Sequence, residues 1–202
     1  KAPSLTAEQI SSLSTAQIAA MEAADFAKLS TDAISGLKTA QAVALTTAQA
    51  NAMTSTQLGA LSVSAFQRME TADFASLTTA AITGMSTAQA SVLTTAQAVA
   101  LRTSQAAALS GAQIGALSTG AFQALETADF ANLSTSAISG MSVDQVSVLT
   151  TAQASVLTTA QAVALTTAQA AALTTAQVGA LSTSAFQSLE VADLASITST
   201  AI

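Results

Sequence analysis

Leu45-Thr46-Thr47-Ala48-Gln49-Ala50-Asn51-Ala52 sets the frame of the whole chain. Steps of eight from Leu5 meet only Leu, Met or Ile as far as Ile197. No insertion breaks the count. Self-similarity at a fixed short period marks a repeat architecture in which every unit takes nearly the same geometry. Residues 1–4, which hold the single proline Pro3, form a lead-in, and residues 5–202 read as one continuous octad array. The chain begins at Lys1 and stops inside an octad at Ile202, so it is expected to be a fragment of a longer protein.

Numbered from its Leu, the octad carries Ser or Thr at most second positions and Gln, Asp or Ala at the fifth. The sixth position is always apolar. Ser14 to Gln17, Thr94 to Gln97 and Thr174 to Gln177 each spell a capping box. There the hydroxyl accepts from the backbone N–H three residues on, and the Gln side chain reaches back to the cap. Position 6 and the next position 1 are three apart, so Ile18/Met21 and Phe26/Leu29 share a helical face. The Ala-rich filling favours a helix too. One continuous helix fails, because eight residues at 3.6 per turn drift by roughly 80° per repeat and wind the Leu stripe around the rod. A cap in each octad predicts instead a helix that restarts, running from about position 3 to the following Leu. Helices that short persist only by stacking on neighbours. The predicted fold is an all-α solenoid of about twenty-five short helices, one per octad. A narrow β-solenoid is the alternative; strict alternation faces positions 1 and 6 oppositely, and Ala is depleted in strands.

Composition narrows the function classes. Half of the 202 residues are apolar, yet only 3% are aromatic and 8% charged. The core is therefore expected to be thin. Cys and His are both absent, which removes disulfides, thiolate metal sites and His-based acid–base pairs. A net charge of −6, with Lys1, Lys28, Lys38, Arg68 and Arg102 as the cations, argues against nucleic acid, which needs a basic footprint. Thr or Gln interrupts the octads, so no run of about 20 apolar residues is present to span a bilayer.

A larger rhythm overlays the octads. Ser-Ala-Phe-Gln or Gly-Ala-Phe-Gln precedes Glu-Thr-Ala-Asp-Phe at Phe66/Phe74 and Phe122/Phe130, with a relative at Phe186/Leu194 and half of it at Phe26. Gly59, Gly115 and Gly179 stand in the octad before each pair, and Gly36, Gly84 and Gly140 close an Ile octad after one. From Phe26 to Phe74, Phe130 and Leu194 the modules are six, seven and eight octads apart. The octad thus reads as the unit of growth and length as freely adjustable, which suits a spacer. The Phe pairs are expected to plug the core beside glycine-relieved backbone.

Each module holds a Glu-x-x-Asp pair: Glu22/Asp25, Glu70/Asp73, Glu126/Asp129 and Glu190/Asp193. Carboxylates in a first turn favour the helix dipole. Calcium, which takes oxygen ligands, is the sharper possibility, and the pairs are its candidate metal residues; backbone carbonyls or a neighbouring coil would have to complete the set. As a catalytic acid–base pair they lack a nucleophile and a pocket, so no cofactor and no enzyme activity are expected. The Thr rows (Thr46/Thr47, Thr94/Thr95, Thr158/Thr159, Thr166/Thr167) are caps first, with an ice- or carbohydrate-matching ladder as the lesser reading. The Gln rows, Gln41, Gln49, Gln57 and onward, are capping-box members or an amide ladder between coils.

The Leu-Thr-Thr-Ala-Gln-x-x-Ala octads resemble the long arrays of very large repetitive bacterial surface proteins of adhesin- or haemagglutinin-like type. That likeness covers almost the whole chain and implies extracellular display in a stalk, filament or biofilm matrix. It brings no functional residues with it. The Leu-Thr-x-x-Gln opening is also similar to the repeats of TAL-type DNA-binding proteins, but the period of eight and the acidic charge set that aside. The expected function is a rod-like structural spacer, with end-to-end or lateral self-association at open solenoid ends; the alternative is a ligand-binding array.

Overall fold

Thr6 shows how an octad starts a helix. Its backbone is extended (φ −89°, ψ 165°), its hydroxyl accepts from the Gln9 N–H, and its own N–H donates to Gln9 Oε1 at 2.9 Å. Both orphan donors are satisfied within four residues, so the helix can begin without a long run behind it. It ends as locally. After the helix Thr47–Ala52, Met53 (φ −65°, ψ 139°) and Thr54 (φ −85°, ψ 165°) are both extended, and those two residues turn the corner. No described residue takes a positive φ, so the corners need no glycine.

The computed structural model describes residues 5–197, and among them every element is a short α-helix. The chain divides into two compact units, Lys1–Leu101 and Arg102–Ile202. The first contains α1 (Ala7–Ser12), α2 (Thr15–Ala19), α3 (Ala23–Phe26), α4 (Thr31–Ser35), α5 (Thr39–Val43), α6 (Thr47–Ala52), α7 (Ser55–Ala60), α8 (Val63–Gln67), α9 (Thr71–Ser76), α10 (Thr79–Ile82), α11 (Thr87–Ser91) and α12 (Thr95–Val99). The second contains α13 (Thr103–Ala107), α14 (Gly111–Ala116), α15 (Thr119–Gln123), α16 (Thr127–Ala131), α17 (Thr135–Ser139), α18 (Val143–Ser147), α19 (Thr151–Ser155), α20 (Thr159–Val163), α21 (Thr167–Ala171), α22 (Thr175–Ala180), α23 (Thr183–Ser188) and α24 (Val191–Ser196). The expected all-α solenoid of one helix per octad is thus the observed fold. The helices close one to three residues before the expected Leu, which lies in the corner as an apolar plug.

Within each unit a helix packs on the helix three places further along: α1 on α4, α6 on α9, α20 on α23. Position 6 fills the centre; Ile10, Phe26, Ala42, Leu58 and Phe74 are fully buried, and the position-1 residues Leu29, Leu45 and Met53 are nearly so. The central residues alternate in bulk. Phe66 on α8 meets helices α5 and α11, whose central residues are Ala42 and Ala90; Phe74 on α9 meets α6 and α12, centred on Ala50 and Ala98. Phe130 on α16 likewise lies between α13 and α19, centred on Ala106 and Ala154. Large sits over small, as close packing requires. Phe122 on α15 departs from this, since α18 beneath it is centred on Val146.

Glycine stands at two of the pairs in which large meets large. α7 (Leu58) packs on α10 (Ile82), and α14 (Ile114) on α17 (Ile138). A Cβ on Gly59 would stand 2.7 Å from the Gly84 carbonyl oxygen, and one on Gly84 would run into the Ser55 backbone. Gly84→Ala is therefore expected to push α10 off α7 and cost about 1–3 kcal/mol by overpacking. A Cβ on Gly115 would likewise run into the Gly140 carbonyl, so Gly115→Ala is expected to carry a similar cost in the second unit. Urea melts of the two variants check both losses.

Candidate functional site

Position 5 decides how each coil joins the one before it. Where it is Gln, the side chain is buried and works at both ends. Gln49 Oε1 accepts from the Thr46 N–H at 3.0 Å, closing the capping box, while Nε2 donates to the Ile18 and Met21 carbonyls of the earlier coil at 2.7 Å each. Gln41 does the same to Ile10 and Leu13, and Gln89 to Leu58 and Leu61. In the second unit Gln145 bonds Ile114 and Leu117, and Gln177 bonds Val146 and Leu149. The separations are 31 and 28 residues each time, so a coil closes between three and four octads. The two readings of the Gln rows, cap and ladder between coils, are one side chain seen from its two ends. Gln9 and Gln17 have no described coil beneath them and are exposed.

Every Ala at position 6 follows such a Gln, whereas every Phe follows Ala or Asp. This amide joint thus accompanies the Ala centres and also Leu58, Val146 and Val178, whereas none of the Phe centres follows a Gln. Phe66 and Phe74 meet edge to face at 5.9 Å, and Phe122 and Phe130 at 6.0 Å. The expected core plugs are in place.

The Glu-x-x-Asp pairs are split by burial. Glu22, Glu70, Glu126 and Glu190 occupy the N-cap, make no side-chain cap bond and are exposed. Asp25, in the first coil, is half exposed and pairs with Lys28 at 3.2 Å. Asp73, Asp129 and Asp193 are only 2–3% exposed, and Oδ2 of each has no hydrogen-bond partner. Thr103 Oγ1 donates to Asp129 Oδ1 at 2.8 Å. Burial raises the Asp73 carboxyl from 3.8 to about 6, with the Glu70 charge adding to it. Asp129 is raised as well, by burial first and then by Glu126, against the lowering bond from Thr103. A first-turn carboxylate stabilised by the helix dipole would move the other way, so desolvation wins here. The signal for this lies in the sequence: Asp takes the place that Gln fills in the plain octads.

Ser and Thr at position 2 spend their hydroxyls on caps, as Thr94 does on the Gln97 N–H, while Thr47, Thr95, Thr159 and Thr167 at position 3 are exposed. A shallow groove is lined by Thr39, Ala40, Val43 and Arg68, a set without an acid–base pair. Among the described residues no group of three or more acidic side chains converges as a metal site, and no helix is long and apolar enough to cross a membrane.

Short stacked helices, a frame without insertions, hydroxyls spent on caps and Gln amides bonded between coils define a structural repeat protein. The chain belongs to the ALTTAQ repeat family, whose model matches residues 18–55, 66–103 and 122–159, more than half of its length. No curated protein and no solved structure matches it.

Proposed function

We propose that this array is an elongated, non-catalytic spacer in an extracellular bacterial surface or filament protein, serving adhesion or a biofilm matrix. The observation that carries the reading is the amide joint. It uses the recurrent buried polar group to fasten coil to coil, so added octads lengthen the stack without building a pocket. The likeness of the octads to large surface-protein arrays supports display outside the cell. Small-angle scattering in chelator and then in calcium tests it, and a thin rod in both conditions is expected. A compact globule would sink the spacer reading. A coil that becomes a rod only with calcium would put the alternative first, a ligand-binding array with calcium at the Glu-x-x-Asp pairs. Protease shaving of intact cells tests surface exposure: loss of the repeat from shaved cells is expected, and full protection contradicts it.

A further inference from the structure

We propose that Asp73 is a proton-operated joint: once protonated, its carboxyl donates to the carbonyl edge of the earlier coil, and the coils tighten there on acidification. The register carries the argument. In the plain octads the same position presents an NH2 group to carbonyls 31 and 28 residues back. Those offsets set Ala42 and Leu45 opposite Asp73. Backbone carbonyls only accept, and an ionised carboxylate only accepts. An ionised carboxylate set against carbonyls finds no donor there, and Oδ2 of Asp73 is buried without a hydrogen-bond partner. A proton on Oδ2 converts the clash into a hydrogen bond, and one mobile proton replaces the fixed amide.

The surroundings leave the proton as the available partner. α6 and α12, packed on α9, carry no charged residue, and the neighbouring charges are Glu70, Arg68 at the C-cap of α8, and Lys38 at the N-cap of α5. A calcium ion wants six to eight oxygens, whereas the joint supplies one buried carboxylate.

The sign follows from the folded value lying above the unfolded one. For Asp73 the folded chain holds the extra proton between 3.8 and about 6, so stability falls as pH rises through that window. Below it the joint is closed in full. Above it the carboxylate is ionised and the joint is weakened.

Carbon-detected NMR of the full chain reads the carboxyl carbons directly, and a midpoint for Asp73 near 6 is expected. A midpoint at or below 4 would overturn the proposal, whatever any variant does. The Asp73→Asn variant supplies a donor that does not titrate. Its thermal midpoint should rise less between pH 7.5 and 5 than that of the unaltered chain. Equal responses in the two proteins would overturn it. So would a calcium-induced rise at pH 7.5 in the unaltered chain that the variant lacks, because the joint would then be a cation site.

Discussion

Gln89→Glu is expected to destabilise the first unit by about 3–4 kcal/mol at pH 7, although the two side chains have nearly the same shape. Gln89 is fully buried; its Oε1 accepts from the Ser86 N–H at 2.9 Å and its Nε2 donates to the Leu58 and Leu61 carbonyls at 2.8 Å each. Glutamate keeps the cap acceptor and loses both donors. The new oxygen faces two carbonyl oxygens, so the acid must stay protonated or bury an unpaired charge. Raising its pKa by roughly two to three units, at about 1.36 kcal/mol per unit, gives the stated cost. The folded value lies above the unfolded one, so the loss shrinks as pH falls through the raised value. Gln17→Glu is the control. Gln17 holds the same place in a capping box but is exposed in the first coil, and Glu serves a capping box equally well, so a change within about 0.5 kcal/mol is expected. Urea melts at pH 7 and pH 4.5 check both variants. Equal behaviour of the two would mean that the amide joint contributes nothing to holding the coils together.

That contrast also shows what could be read along the chain and what could not. The cap, the helix and the octad frame are local: Thr6 and Gln9 are three residues apart, and their mutual bonds are implied by residue type. One helix per octad follows from them. The coil does not, because its length depends on how two extended corner residues such as Met53 and Thr54 turn the backbone. That turn brings Gln49 to Ile18, 31 residues away. Without that offset the second end of the glutamine had no visible partner, and the Asp residues looked like ordinary first-turn carboxylates. Their position at N3 was legible; their burial was not, because it is imposed by a coil distant in sequence. The partners of the Phe residues were hidden for the same reason: only the coil shows Phe74 against Ala50 and Ala98.

Phe74→Ala is expected to cost about 3–5 kcal/mol, the range for emptying a fully buried aromatic site. Phe74 has no exposed surface, and its ring stands edge to face on Phe66 at 83°. Its neighbours along the stack, α6 and α12, present Ala50 and Ala98 at their centres and have no larger side chain there to move into the void. Phe186→Ala should cost less, because Phe186 lies in the last described turn and is only partly buried. A second change tests the alternation itself. Ala50→Leu alone adds bulk beneath Phe74 and is expected to cost about 1–3 kcal/mol by overpacking. In the double variant the added carbons enter the space that Phe74 vacated. The two losses should then fall short of their sum by about 1 kcal/mol or more, a coupling that a double-mutant cycle measures. Strict additivity would mean that the two positions do not share one packed layer.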